Sequence, residues 1–271
     1  AQMSVAAESE LQVSANVAEC VAEERIPIID VSDFLSGDVA ALEQFATDLR
    51  AIQESLGFYC IVNHGIDQGL IDRSFDQIAE LFTLSDETKM KYRVDFHHQG
   101  FIPNKSLILR WSKIAKNEKK DLNEAWAFMR ERTADDPKVK ANTRHRNLNQ
   151  WPEELPEFRT TLLEYQETMA VLATRMLPAY ARALELPADY FDEKFSHPEY
   201  YNRCAWYPPV EAEEGQFSLS PHSDHSSMTY LPLMDVAGLQ VMAPSGKWME
   251  IEPLRGAIVV NTGEFFNRWT N

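Results

Sequence analysis

Pro221-His222-Ser223-Asp224-His225 is the segment of this sequence whose residue types could do chemistry. On an extended chain, side chains two residues apart project to the same side, so His222 and Asp224 can reach one ion. An imidazole nitrogen with a hard carboxylate oxygen is a ligand mix suited to Fe(II), and a 2-His-1-carboxylate triad leaves positions open for substrate and O2. Alone, an H-x-D tripeptide arises often by chance, and a surface turn is its ordinary reading. His225 adds a second possibility, a dinuclear hydrolase pattern of the H-x-H-x-D-H type. That pattern needs histidine at position 220, where Ser220 stands, so the hydrolase reading lacks its first ligand. His225 then packs beside the site or faces solvent.

The elements that would position this segment follow from the apolar pattern. An apolar run from Ile26 to Val31 reads as a strand, with Pro27 at an edge or first position. Leu42, Phe45, Leu49, Ile52 and Leu56 recur at steps of three and four, which predicts an amphipathic helix closed by Gly57. Phe58-Tyr59-Cys60-Ile61-Val62 reads as a buried strand ending at Asn63-His64-Gly65. A second helix carries Ile71, Phe75, Ile78 and Phe82 on one face, with Asp67 as its N-cap. Residues 95–121 contain Gly100 and Pro103 and read as a loop. The longest helix spans about 152–186, with an apolar seam from Leu155 to Tyr180 that is a packing spine, and Pro178 should kink or divide it. Beyond residue 200, short apolar runs (200–207, 228–234, 238–242, 248–251 and 257–260) alternate with Pro, Gly and Ser, the spacing of a β-sandwich or jelly roll.

Bulk properties exclude several classes. The 271 residues allow one large domain or two modest ones. With 42 acidic against 26 basic residues, the net charge of -16 repels phosphate backbones, which argues against nucleic acid and anionic membranes. No stretch approaches the roughly 18 apolar residues of a membrane span, and the first 25 residues carry no basic segment of a secretory signal. Cys20, Cys60 and Cys204 form no CxxC pair, which suits a reducing cytosol, and Cys60 and Cys204 read as small buried thiols.

Several motifs together resemble the isopenicillin N synthase-like family of 2-oxoglutarate/Fe(II) dioxygenases. In the C-terminal half they are His222-Ser223-Asp224, Met228-Thr229-Tyr230-Leu231, Gly238-Leu239-Gln240-Val241, Gly246-Lys247-Trp248 and Val260-Asn261-Thr262-Gly263-Glu264. In the N-terminal half they are Ile26-Pro27-Ile28-Ile29-Asp30, Gly57 through Ile66, Gly100-Phe101-Ile102-Pro103 and Asp121-Leu122-Asn123-Glu124-Ala125. The resemblance spans about residues 26–271. It implies an α+β fold: a double-stranded β-helix (distorted jelly roll) with flanking helices, one of them long and supporting. The implied organisation is an N-terminal arm over 1–25, an N-terminal dioxygenase region over 26–135, and the long helix with an incomplete jelly roll over 136–271.

The resemblance also implies function. The protein would be a cytoplasmic enzyme that oxidises a small organic substrate by hydroxylation, desaturation or ring closure, using Fe(II), 2-oxoglutarate and O2. Its partners would include neither nucleic acid nor membrane. His222 and Asp224 match two of the family's three iron ligands, and Tyr207, in Trp206-Tyr207-Pro208-Pro209, matches a tyrosine that contacts the 2-oxoglutarate carboxylate. Many plant members carry asparagine two residues before that tyrosine, where this chain has Ala205. No catalytic residue is implied beyond the metal ligands, and His64 is a structural histidine. The family's second histidine ligand comes roughly fifty to sixty residues after H-x-D, and its 2-oxoglutarate-binding arginine follows later. None of the seven histidines stands there, so the chain is expected to be C-terminally truncated and inactive by itself. Two other readings stay open: an oxidase of the same family that does without 2-oxoglutarate, and a non-catalytic jelly-roll binding protein.

Overall fold

The computed structural model describes residues 13–106 and 118–270. In chain order the helices are α1 (Val17–Ala22), α2 (Ser32–Ser36), α3 (Val39–Gln53), α4 (Gln68–Thr83), α5 (Asp86–Met90), α6 (Pro137–Lys140), α7 (Phe158–Ala183) and α8 (Glu264–Thr270). The strands are β1 (Ile28–Asp30), β2 (Phe58–Val62), β3 (Gly100–Ile102), β4 (Glu124–Met129), β5 (Tyr201–Trp206), β6 (Met228–Pro232), β7 (Gln240–Met242), β8 (Trp248–Glu250) and β9 (Ile258–Thr262). They form two compact units, each assembled from separated stretches of chain. The first takes residues 1–66, 172–196 and 224–271, and the second 67–171 and 197–223.

The first unit is built on a sheet of order β1-β2-β9-β6. β1 and β2 run parallel, while β9 lies antiparallel to both β2 and β6. Burial of Tyr59, Cys60, Ile61 and Val62 on β2 explains why an unbroken apolar run forms this strand, since a strand covered on both faces has no polar side to present. Cys60, Val62 and Val259 join Val241 and Met249 of the β7–β8 hairpin in one apolar cluster. α3 begins where the Asp38 carboxylate accepts from Ala41 N–H and buries Phe45, Leu49 and Ile52 as the periodicity predicts. Tyr59 and Tyr180, both fully buried, satisfy each other's hydroxyls at 2.7 Å. α1 forms within the expected N-terminal arm, whose residues 1–12 lie outside the described ones.

The second unit holds the sheet β3-β4-β5, antiparallel throughout. Alternation on β4 sends Trp126 and Phe128 toward Leu81 and Phe82 of α4 and Phe158 and Leu162 of α7, with Cys204 of β5 in the same cluster. α4 starts at Asp67, whose carboxylate accepts from the amides of Gly69 and Leu70. One expectation is corrected here: within residues 95–121, read as a loop, Gly100–Ile102 is a strand. Gly100 is required there, because a Cβ would stand 2.2 Å from the Tyr92 carbonyl and its φ is +118°. The rest of that expected loop includes 107–117, outside the described residues.

Of the two expected effects of Pro178, a kink or a division, the division does not occur: α7 continues as one element through it. Proline removes one backbone donor, but Met176, Leu177, Ala179, Tyr180 and Ala181 around it are all buried, and that apolar contact outweighs a single lost bond. Cys20, Cys60 and Cys204 are free and buried, and burial pushes the thiols of Cys60 and Cys204 up to about 12, so both are inert. No helix among the described residues is long and apolar enough to cross a membrane.

His64 follows two residues after β2 and is held by hydrogen bonds at both ring nitrogens. Its Nδ1 accepts the Ile66 amide at 3.2 Å, so the proton sits on Nε2, which donates to the Gly256 carbonyl at 3.1 Å. Burial holds its pKa below the ordinary value. The unfolded chain therefore takes up this proton first as pH falls. The His64 contribution to stability is present in full above about pH 6.5 and declines below it, toward the lower pKa of the folded state. Denaturant midpoints measured stepwise in pH should show His64→Asn flattening this acid-side loss; parallel profiles for variant and parent would contradict it.

Candidate metal centre

The chain passes from the second unit to the first between Ser223 and Asp224, so each candidate ligand is supported within its own unit. His222 is solvent-exposed. Its Nδ1 lies 2.8 Å from the Ser220 carbonyl. A carbonyl can only accept, so Nδ1 carries the proton and donates, the tautomer that coordination through Nε2 requires. Ser220 is buried and bonded to Asp121, which is why it cannot act as the hydrolase ligand its position would demand.

Asp224 is half-buried, and its orientation is set by two donors on one oxygen. Oδ2 accepts from Thr229 Oγ1 at 2.7 Å and from Asn261 Nδ2 at 2.9 Å. Thr229 and Asn261 face each other directly across the β6–β9 pairing, so strand register brings both donors to the carboxylate. The Asp224 backbone is also held, its carbonyl accepting Glu264 N–H at 2.7 Å, while Gly263 N–H donates to Ser227 at 3.1 Å. A glycine is needed for that approach, because a Cβ on Gly263 would lie 2.2 Å from the Ser226 carbonyl and 2.7 Å from that of Asp224. Thr229, Asn261 and Gly263 stand within the motifs that carry the family resemblance, but nothing in the sequence alone marks these contacts.

The donor set fits Fe(II): one imidazole in the required tautomer and one carboxylate turned by hydrogen bonds. Among the described residues, no group of three or more His, Cys, Asp or Glu side chains is placed to hold a metal ion. His225 is exposed. Tyr207 follows β5 directly, half-exposed, in the second unit, and Ala205 lies opposite Ala125 on β4.

The family described as "non-haem dioxygenase in morphine synthesis N-terminal" matches residues 26–154, and the "2OG-Fe(II) oxygenase superfamily" matches 198–271. The 2-oxoglutarate-Fe(II) type oxidoreductase hxnY of Emericella nidulans is 31% identical over 252 residues, 90% of this chain and 71% of the relative. The chain belongs to the isopenicillin N synthase-like family of 2-oxoglutarate/Fe(II) oxygenases. Solved structures agree. A putative 2OG-Fe(II) oxygenase family protein from Caulobacter crescentus superposes with TM-score 0.75 at 27% identity, covering 90% of this chain and 75% of that one. A full-length Neurospora crassa protein in complex with alpha-KG and thymine gives 0.76 at 26% identity, with the same coverage. This oxygenase accordingly has the α+β jelly-roll fold, and Fe(II) and 2-oxoglutarate are its cofactor and co-substrate.

The close approach at Gly263 yields a stability prediction. Gly263→Ala must push the Asp224–Ser226 backbone away from the end of β9, and overpacking of this kind costs about 1–3 kcal/mol. Thermal and denaturant melts should register the loss; a variant as stable as the parent would mean that the loop yields freely.

Proposed function

We propose that His222 and Asp224 are two of the iron ligands of this oxygenase, and that Tyr207 contacts the carboxylate of 2-oxoglutarate. The hydrogen bonding around Asp224 carries the reading: two side-chain donors from facing strands converge on one carboxylate oxygen. A carboxylate needs no such orientation to sit in water, and a metal ligand does. His222 supports the same reading, because the Nδ1–H bond to the Ser220 carbonyl fixes the tautomer that coordination through Nε2 requires.

Bound Fe(II), with 2-oxoglutarate and O2, supplies the oxidising chemistry, in which 2-oxoglutarate becomes succinate and CO2 while the substrate is hydroxylated, desaturated or closed into a ring. The chain's own residues bind and orient. His222 and Asp224 hold the metal, and the Tyr207 hydroxyl donates to a carboxylate. The substrate is a small organic molecule, in line with the thymine held by the Neurospora protein. The net charge of -16 opposes nucleic acid and anionic membrane surfaces as partners, and we assign the protein to the cytoplasm.

Substitution tests the ligands. His222→Ala and Asp224→Ala should each abolish Fe(II)-dependent succinate release and weaken Fe(II) binding, whereas His225→Ala should leave Fe(II) binding largely intact. Metal lost with His225→Ala but kept with His222→Ala would reverse the assignment. For Tyr207, removing a hydrogen bond to a charged group costs about 1.5–3 kcal/mol. Tyr207→Phe should then raise the apparent KM for 2-oxoglutarate roughly tenfold or more, with Fe(II) affinity little changed. An unaltered 2-oxoglutarate dependence would remove Tyr207 from the site.

A further inference from the structure

Asp121 lies in the segment leading into β4 and is 3% exposed, within the second unit. Its Oδ1 accepts two donors from the same residue, the backbone N–H of Ser220 at 3.1 Å and the Ser220 hydroxyl. Ser220, 2% exposed, is therefore pinned at both its backbone and its side chain. Pro221 follows it, and a residue before proline is confined to extended conformations. Between these restraints the Ser220 carbonyl has little freedom of direction, and that carbonyl accepts Nδ1–H of His222 at 2.8 Å. The surrounding chain is laced in the same way. Leu122 N–H donates to the Phe217 carbonyl at 3.0 Å, Asn123 Nδ2 donates to the Ser218 carbonyl, and the Arg203 guanidinium donates to Asn123 Oδ1.

We propose that Asp121 is a positioning residue for the metal centre: acting through Ser220, it sets the tautomer and ring direction of His222. The inference rests on His222 being an iron ligand. A buried carboxylate that accepted from a single surface group would carry no such meaning. Here both donors belong to the residue whose carbonyl orients the ligand, about a hundred positions away in sequence. Outer partners of ligating histidines typically change metal affinity 10–100-fold when removed. Asp121 stands one step further out, so its effect belongs at the lower end of that range.

The test uses the full chain, Co(II) as a spectroscopic substitute for Fe(II), and 15N NMR of the histidine rings before metal is added. The parent protein should show His222 protonated on Nδ1. Asp121→Ala should let the Nε2–H form appear and raise the Co(II) Kd about tenfold. Asp121→Asn, whose amide oxygen can still accept both Ser220 donors, should retain the parent tautomer and recover most of the affinity. Ser220→Ala removes only the hydroxyl and should fall between them. A parent His222 protonated on Nε2 would overturn the proposal, as would a folded Asp121→Ala that keeps both tautomer and affinity. Should Asp121→Ala not fold, Ser220→Ala decides: unchanged tautomer and Kd would overturn the proposal, and a partial shift in both would support it. His222→Ala separates this from the ligand assignment. If Co(II) binds that variant as tightly as the parent, His222 is no ligand, and the metal-site reading fails together with the inference resting on it; a loss of binding leaves Asp121 to be judged on its own variants.

Discussion

Thr229 and Asn261 stand opposite one another on β6 and β9, and both give a hydrogen bond to Oδ2 of Asp224. Because side chains on a strand alternate, a one-residue slip would turn one member of this pair to the other face of the sheet and leave the carboxylate with a single donor. Register is fixed from beyond the pair. β9 is also paired with β2, where Asn261 faces Phe58 and Val259 faces Cys60, and the buried side chains of β2 admit no shifted arrangement. The orientation of the Asp224 carboxylate thus depends on a strand more than 150 residues earlier in the chain.

His222 is supported by the same kind of remote contact with different chemistry. Asp224 is turned by neutral donors on its own sheet, whereas His222 is turned by a backbone carbonyl whose residue is anchored to a buried carboxylate. Each arrangement fixes one candidate ligand through contacts made on folding. Side-chain ordering that would otherwise oppose ligand binding is completed during folding. The proposed role of His222 and Asp224 as metal ligands draws on both residues being held in this way.

The parts legible in the sequence were those with local causes. β2 is an unbroken apolar run, α3 and α4 show three-and-four spacing with aspartate caps, and the short strands beyond residue 200 are set apart by Pro, Gly and Ser. His222 and Asp224 stand out as candidate ligands from their two-residue spacing and the surrounding motifs. β3 was not, since three residues between Gly100 and Pro103 carry too little periodicity, and the close contact that demands Gly100 comes from Tyr92 and Gln150. The uninterrupted course of α7 through Pro178 depends on burial that no local rule reports. The residues that contact the candidate ligands or Ser220 (Asp121, Thr229, Asn261 and Gly263) are visible in the sequence as motif letters only, because their contacts exist only after distant segments pair.

The central claim is that His222 and Asp224 share one metal ion. An anaerobic crystal structure of the protein with Zn(II) in place of iron, phased on the metal's anomalous signal, addresses it directly. The account predicts a peak about 2.0–2.1 Å from Nε2 of His222 and about 2.0–2.2 Å from an Asp224 oxygen, with the bonds from Thr229 and Asn261 to Asp224 and from His222 to Ser220 retained. A peak on His225, or one bound through Nδ1 of His222, would contradict it.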